Sequence, residues 1–141
     1  MIETIVDIDR PPDEVFAVAT DPTRFPEWQR DVASVQLEGS GVGAQFATTR
    51  QIGPAKQTIV QEITRDDPPL SWSARGISGL ILANGRIDVE PLDEGRRSRV
   101  TFTLSFDARG AGRALLPLVE RMTRAGAPRS YQNLKEMLEA A

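Results

Sequence analysis

Few side chains in this sequence can do chemistry, and strand phase decides which of them can act together. In QFATTRQI, Phe46, Thr48, Arg50 and Ile52 share one parity, because successive strand residues face opposite ways. If Phe46 points into a core, Arg50 points there too. An inward guanidinium needs a partner, since an unpaired buried charge is prohibitive. Glu62 could serve, and so could a carboxylate or carbonyl on a bound molecule; the competing reading has Arg50 leaning into solvent. Gln61 lies in phase with Ile59 and Ile63 and brings a second polar group to the inner face. Tyr131, the only tyrosine, stands one step off the apolar stripe of the last helix. It is either a flank residue or a hydroxyl reaching inward. Asn84 and Arg86 oppose the phase of Ile87 and Val89 and should face solvent, unless a bulge at Gly85 reverses the strand.

The sequence holds no histidine and no cysteine. That removes thiol nucleophiles, disulfides, zinc sites built on those ligands and His-dependent triads. Catalysis would rest on Arg, Asp, Glu, Tyr131 and ordered water, a set less favourable near neutral pH, and no residues mark a catalytic centre. No carboxylate cluster has metal-ligand spacing, so neither metal nor cofactor is expected. The glycines of GSGVG (39–43) precede a strand instead of opening a helix, which rejects a dinucleotide fold. A net charge of −3 disfavours general nucleic-acid binding, which wants a basic face. The longest apolar run, GLILA, is far shorter than the roughly 20 residues of a membrane span. MIETIVDIDR lacks the basic and apolar regions of a signal peptide. The expectation is a cytoplasmic protein with no integral membrane segment, and its 141 residues fit a single domain, 1–141.

The elements that must position these groups follow from local pattern. Ile2, Thr4, Val6 and Ile8 alternate with Glu3, Ile5 and Asp7, as in a half-buried strand. Pro11 and Pro12 end it and start a short helix, whose Val15, Phe16 and Ala19 share a face. Asp21–Pro22 repeats that grammar for an even shorter helix, limited by Pro26, with Phe25 and Trp28 pointing the same way. Strands are expected at 32–37, after GSGVG, at 56–65, and in LSWSARG, LILANGRIDVEP and SRVTFTLSFD. Val100, Phe102, Leu104 and Phe106 against Thr101, Thr103 and Ser105 is the cleanest alternation. From about residue 113 to 139 the period becomes helical, through Leu116, Val119, Met122 or Thr123, Gly126, Ser130, Leu134 and Met137. Pro128 predicts a kink or break. EGRRSR (94–99) reads as a solvated turn.

Short connections imply an antiparallel meander, and only the terminal helix is long enough to cover its apolar face. The fold class is therefore α+β, a curved sheet of six to seven strands around a long C-terminal helix. Side chains need not fill the space between them, which leaves an elongated apolar pocket. Candidate lining residues on the strands are Phe46, Arg50, Ile59, Gln61 and Trp72, with Leu80, Leu82, Phe102 and Leu104 further along. Leu116, Val119, Met122 and Tyr131 would face it from the helix. Trp28 either seals one end of the core with Phe25 or stands at the cavity mouth, and Trp72 either packs or touches a ligand. GISGLILANG (76–85) is a hairpin or a mobile apolar lid.

This order of elements resembles the START-like, or helix-grip (SRPBCC), superfamily, which includes polyketide cyclase/dehydrase and lipid-transport proteins. The residues that carry the resemblance are IDRPPDEVF (8–16), DP…FPEW (21–28), Val42-Gly43, DPPLSW (67–72) and NLKEMLE (133–139). It implies a helix-grip fold enclosing a small hydrophobic or amphipathic molecule, such as a polyketide, isoprenoid or lipid. It also admits a polyketide cyclase or dehydratase working without His or Cys. A third reading is a protein-interaction module using its sheet face. The ligand, the choice between binding and catalysis, and the oligomeric state stay open at this level.

Overall fold

The computed structural model describes residues 1–141, apart from the Ile52 side chain, so the inward phase expected of Ile52 lies outside the described residues. Strand β1 (Ile2–Ile8) leads into helix α1 (Pro12–Ala19), a 3-10 turn (Pro22–Arg24) and helix α2 (Phe25–Trp28). Six strands follow: β2 (Val32–Glu38), β3 (Gln45–Ile52), β4 (Ala55–Asp67), β5 (Ser71–Ser78), β6 (Ile81–Leu92) and β7 (Arg97–Ala108). Helix α3 (Gly112–Ala140) closes the chain. The seven strands form one antiparallel sheet in the order β1-β7-β6-β5-β4-β3-β2. The first strand thus pairs with the last, and α1 and α2 carry the chain from one sheet edge to the other.

Local chemistry explains these short helices. Pro12 and Pro22 sit at first-turn positions, where a missing N–H is harmless. The Asp21 carboxylate accepts a hydrogen bond from the Thr23 backbone N–H at 3.0 Å, which caps the turn. Val15, Phe16 and Ala19 are buried on one face of α1, as their spacing predicts.

The sheet curves around α3. Register shifts between Val32 and Ser34, Val60 and Gln61, and Ile63 and Arg65 put extra residues into single strands, which bends them. Gly76 permits a close crossing of β5 over β6, where a Cβ would come within 2.7 Å of the Ala83 nitrogen. At Gly112 a Cβ would collide with the Leu80 carbonyl, so the start of α3 lies flat against the β5–β6 turn. GISGLILANG accordingly forms a hairpin.

Along β6, Ile81, Ala83, Ile87 and Val89 are all buried, so the inward phase runs through Gly85 without reversal. Arg86 faces outward and pairs with Asp88 at 2.8 Å, and Asn84 accepts from the Gly76 N–H. Helix α3 runs without a break through Pro117 and Pro128, so of the kink or break that the sequence predicts at Pro128 the break does not occur. Tertiary packing on both sides of Pro128 holds the helical path despite the lost hydrogen bond. In the 94–99 turn, Ser98 is fully buried and its hydroxyl donates to the Arg10 carbonyl at 2.7 Å, so only part of that segment is solvated.

Candidate ligand cavity

Two apolar clusters hold α3 to the sheet. Tyr131, Leu134 and Leu138 pack with Ile8, Phe46, Trp72 and Phe102 in the larger one. Val119 packs with Ile81 in the smaller one, joined by Phe106, Leu115, Leu116 and Met122. Between these two attachments the inner face of α3 carries Thr123, Gly126, Ala127 and Ser130. Small side chains there cannot reach the concave sheet, and the unfilled space is a cavity of about 630 Å³. That size falls within the range typical of small-molecule sites.

The walls are mainly aromatic and aliphatic. Phe25 meets Trp28 and Phe46 edge-on, at centroid distances of 5.7 and 5.9 Å. Trp28 approaches Phe102 at 6.1 Å, and Trp72 approaches Phe46 at 6.0 Å. Phe102 and Tyr131 stack at 3.8 Å, with their planes 9° apart. These rings fix one another's positions, since paired aromatic geometry adds to area burial.

Of the residues expected at the cavity from sequence, eleven line it. Trp28, Phe46, Arg50, Ile59, Gln61 and Trp72 come from α2 and strands β3 to β5. Phe102 and Leu104 come from β7, and Val119, Met122 and Tyr131 from α3. Three lie elsewhere. Leu80 is in the β5–β6 turn and 44% exposed. Leu82 falls in the outward phase opposite Asp107, because its neighbours Ile81 and Ala83 take the inward positions. Leu116 packs in the smaller cluster, beyond the end of the cavity.

Trp28 both seals the core and borders the cavity, with 2% of its surface exposed. Its Nε1 and the Thr48 Oγ1 are buried without a hydrogen-bond partner among the described residues. Tyr131 belongs to the buried face of α3 and is not a flank residue. Burial pushes its phenol well above the ordinary value, and the positive charge of Arg50 opposes that rise. The phenol therefore stays protonated at neutral pH and can donate a hydrogen bond there.

The inward phase of Arg50 brings it to the cavity mouth, where it pairs with Asp31 at 3.2 Å. Glu62, the partner considered from sequence, pairs instead with Arg75 at 3.1 Å. Asp31 sits in the α2–β2 connection, where no strand phase announces it. Its backbone carbonyl accepts from the Gln51 N–H at 2.9 Å, which fixes the loop beside β3. Gln61 turns its amide to the Ala83 carbonyl at 2.9 Å, bridging β4 and β6 beneath the cavity. Asn133 donates to the Trp28 carbonyl at 3.3 Å and ties α2 to α3. Sequence reasoning misses Asn133 as a tether, since a lone amide on a helix carries no signal of its partner.

The family described as "Polyketide cyclase / dehydrase and lipid transport" matches residues 2–139. The chain belongs to that family. No curated protein matches the sequence. Among solved structures, this family member is similar to a protein of Thermus thermophilus, with a TM-score of 0.82 and 20% identity over 99% of this chain and 97% of that one. It is also similar to the Zhui aromatase/cyclase of a Streptomyces species, with a TM-score of 0.83 and 16% identity over 98% and 92% of the two chains. A START superfamily protein of Mycobacterium smegmatis gives 0.78 and 11% over 97% of each. At these identities the likeness is one of fold, and it places this family member in the helix-grip architecture.

Among the described residues, no three acidic, His or Cys side chains gather in a way that could hold a metal ion. No helix among them is long and apolar enough to cross a membrane.

Proposed function

We propose that this protein binds, and possesses the architecture to carry, a small hydrophobic or amphipathic molecule between its sheet and α3, as a one-domain cytoplasmic protein. The observation that carries the reading is the apolar-walled cavity of about 630 Å³, left where α3 presents only small side chains. The proposed ligand contacts are the rings of Trp28, Phe46, Trp72 and Phe102, with Ile59, Leu104, Val119 and Met122 completing the apolar surface. Arg50, Gln61 and Tyr131 supply the polar contacts. Native mass spectrometry of the purified protein tests this. The expected result is a noncovalent adduct of one small apolar molecule per chain; a protein that carries none, and gains no thermal stability from any member of a polyketide, isoprenoid and lipid panel, contradicts it.

A catalytic reading, cyclisation or dehydration of a polyketide, draws support from the family's description and from Arg50 and Tyr131 bordering the same cavity. It is the weaker of the two. Among the described residues Asp31 is the only carboxylate at the cavity, it is already paired, and Tyr131 holds its proton. A general base poised near neutral pH is what such chemistry asks for. Incubation with a poly-β-keto substrate separates the readings: products unlike those of spontaneous cyclisation, lost on Arg50→Gln or Tyr131→Phe, would establish catalysis.

A further inference from the structure

The charge at the cavity mouth has a sign opposite to that of the whole protein. The chain carries −3. Yet, among the described residues, the charged residues that line the cavity are Arg30, Arg50, Arg86 and Arg129 against Asp31 alone; Arg86 is already paired with Asp88 at 2.8 Å. Arg30 and Arg129 make no ion pair among the described residues. Apart from Arg86, three elements bring these groups together: the α2–β2 connection supplies Arg30 and Asp31, β3 supplies Arg50, and α3 supplies Arg129.

We infer that the ligand is an anionic amphiphile, with an aromatic or aliphatic body among the cavity's rings and one acidic head at Arg50. This rests on the cavity being a ligand site, as proposed above. The Arg50–Asp31 pair is no obstacle. Its side chains are 26% and 47% exposed, and pairs of that kind contribute little because water screens them. A ligand carboxylate at the mouth can take the guanidinium in a bidentate, charge-assisted contact, while Asp31 turns to solvent. The unpaired Arg30 and Arg129 add a positive field over the mouth, which favours the entry of anions. A neutral ligand would leave that field unused.

Two fluorescent probes with the same aromatic body test the inference. Anilinonaphthalene sulfonate is anionic, and phenylnaphthylamine is its neutral counterpart. At low salt the wild-type protein is expected to bind the sulfonate about tenfold more tightly than the neutral probe, with each displacing the other. Arg50→Gln should remove most of that preference, so that the two probes bind with similar affinity, while circular dichroism reports that the variant is folded. Asp31→Asn should tighten the sulfonate alone. Equal affinities in the wild type, or a preference that survives Arg50→Gln, overturns the anionic assignment and leaves the cavity reading standing. Failure of both probes to bind overturns the cavity reading, and the assignment with it.

Discussion

Tyr131 concentrates the cavity's character in one side chain. Its ring stacks on Phe102 at 3.8 Å, and its phenol is held in the neutral form by burial. Because the folded-state pKa is raised, the unfolded chain releases this proton first as pH rises past the ordinary value of about 10. Stability tied to the neutral phenol is therefore complete below pH 10 and is lost above it. Denaturant unfolding at several alkaline pH values should show that fall, and Tyr131→Phe should diminish it. As this is the only tyrosine, ultraviolet absorbance reads its ionisation directly. A phenolate appearing near pH 10 without unfolding contradicts the buried placement. The sequence leaves Tyr131 between two positions because a helical stripe drifts over 29 residues; counting threes and fours from Leu116 lands on Ser130. The stacking on Phe102, a contact across the fold, settles it.

At the scale of elements, the C-terminal turn of α3 is fastened to the chain's beginning. The Asp9 N–H donates to Glu139 Oε2 at 2.8 Å, and Lys135 Nζ bridges the Asp7 carbonyl and Glu139, both at 2.7 Å. Arg10 donates to the Glu139 carbonyl at 3.0 Å. The Lys135 contact, followed by the Asp9 N–H, lowers the Glu139 pKa below its ordinary 4.5. A lowered carboxylate pKa gives stability that is present above the unfolded value and is lost as pH falls through the folded one. Glu139→Gln should thus be less stable than wild type at neutral pH, by about 1 kcal/mol or less for a half-buried group that water still reaches. The gap should narrow as pH drops below 4.5. A gap independent of pH, in denaturant midpoints at pH 7 and pH 4, would show that the carboxylate charge is not what fastens the helix.

Most elements are legible in the sequence because each announces itself locally: alternation in β1 and β7, proline grammar in α1 and α2, helical period in α3. Phase is legible where one parity alone is apolar, as for Phe46–Arg50 and Phe102–Leu104. It fails in the run Leu80–Leu82, where every residue is apolar and parity is ambiguous. There the pairing of Ile81 with Ala108 and the packing of Gly112 on Leu80 decide which side faces in. Asp31 is invisible for a different reason: loop residues have no period, and its role exists only after β2 and β3 have paired. The stretch Thr123–Ser130 holds a readable signal. Small residues on the inner face of a covering helix mark where it cannot fill a curved sheet.

At the scale of the whole molecule, these levels join. Register shifts curve the sheet, two apolar clusters anchor α3 at either end, and small helix residues between them leave the space that Arg50 and Tyr131 border. If that space is the binding site, filling it from the helix must abolish binding without unfolding the protein. Thr123→Trp places an indole there from a half-buried position. The most direct measurement is a phenylnaphthylamine titration of wild type and Thr123→Trp, with circular dichroism confirming that both are folded. The expected result is saturable one-to-one binding by the wild type and at least a roughly tenfold loss in the variant. Equal binding by two folded proteins would place the ligand elsewhere and contradict the cavity as the binding site.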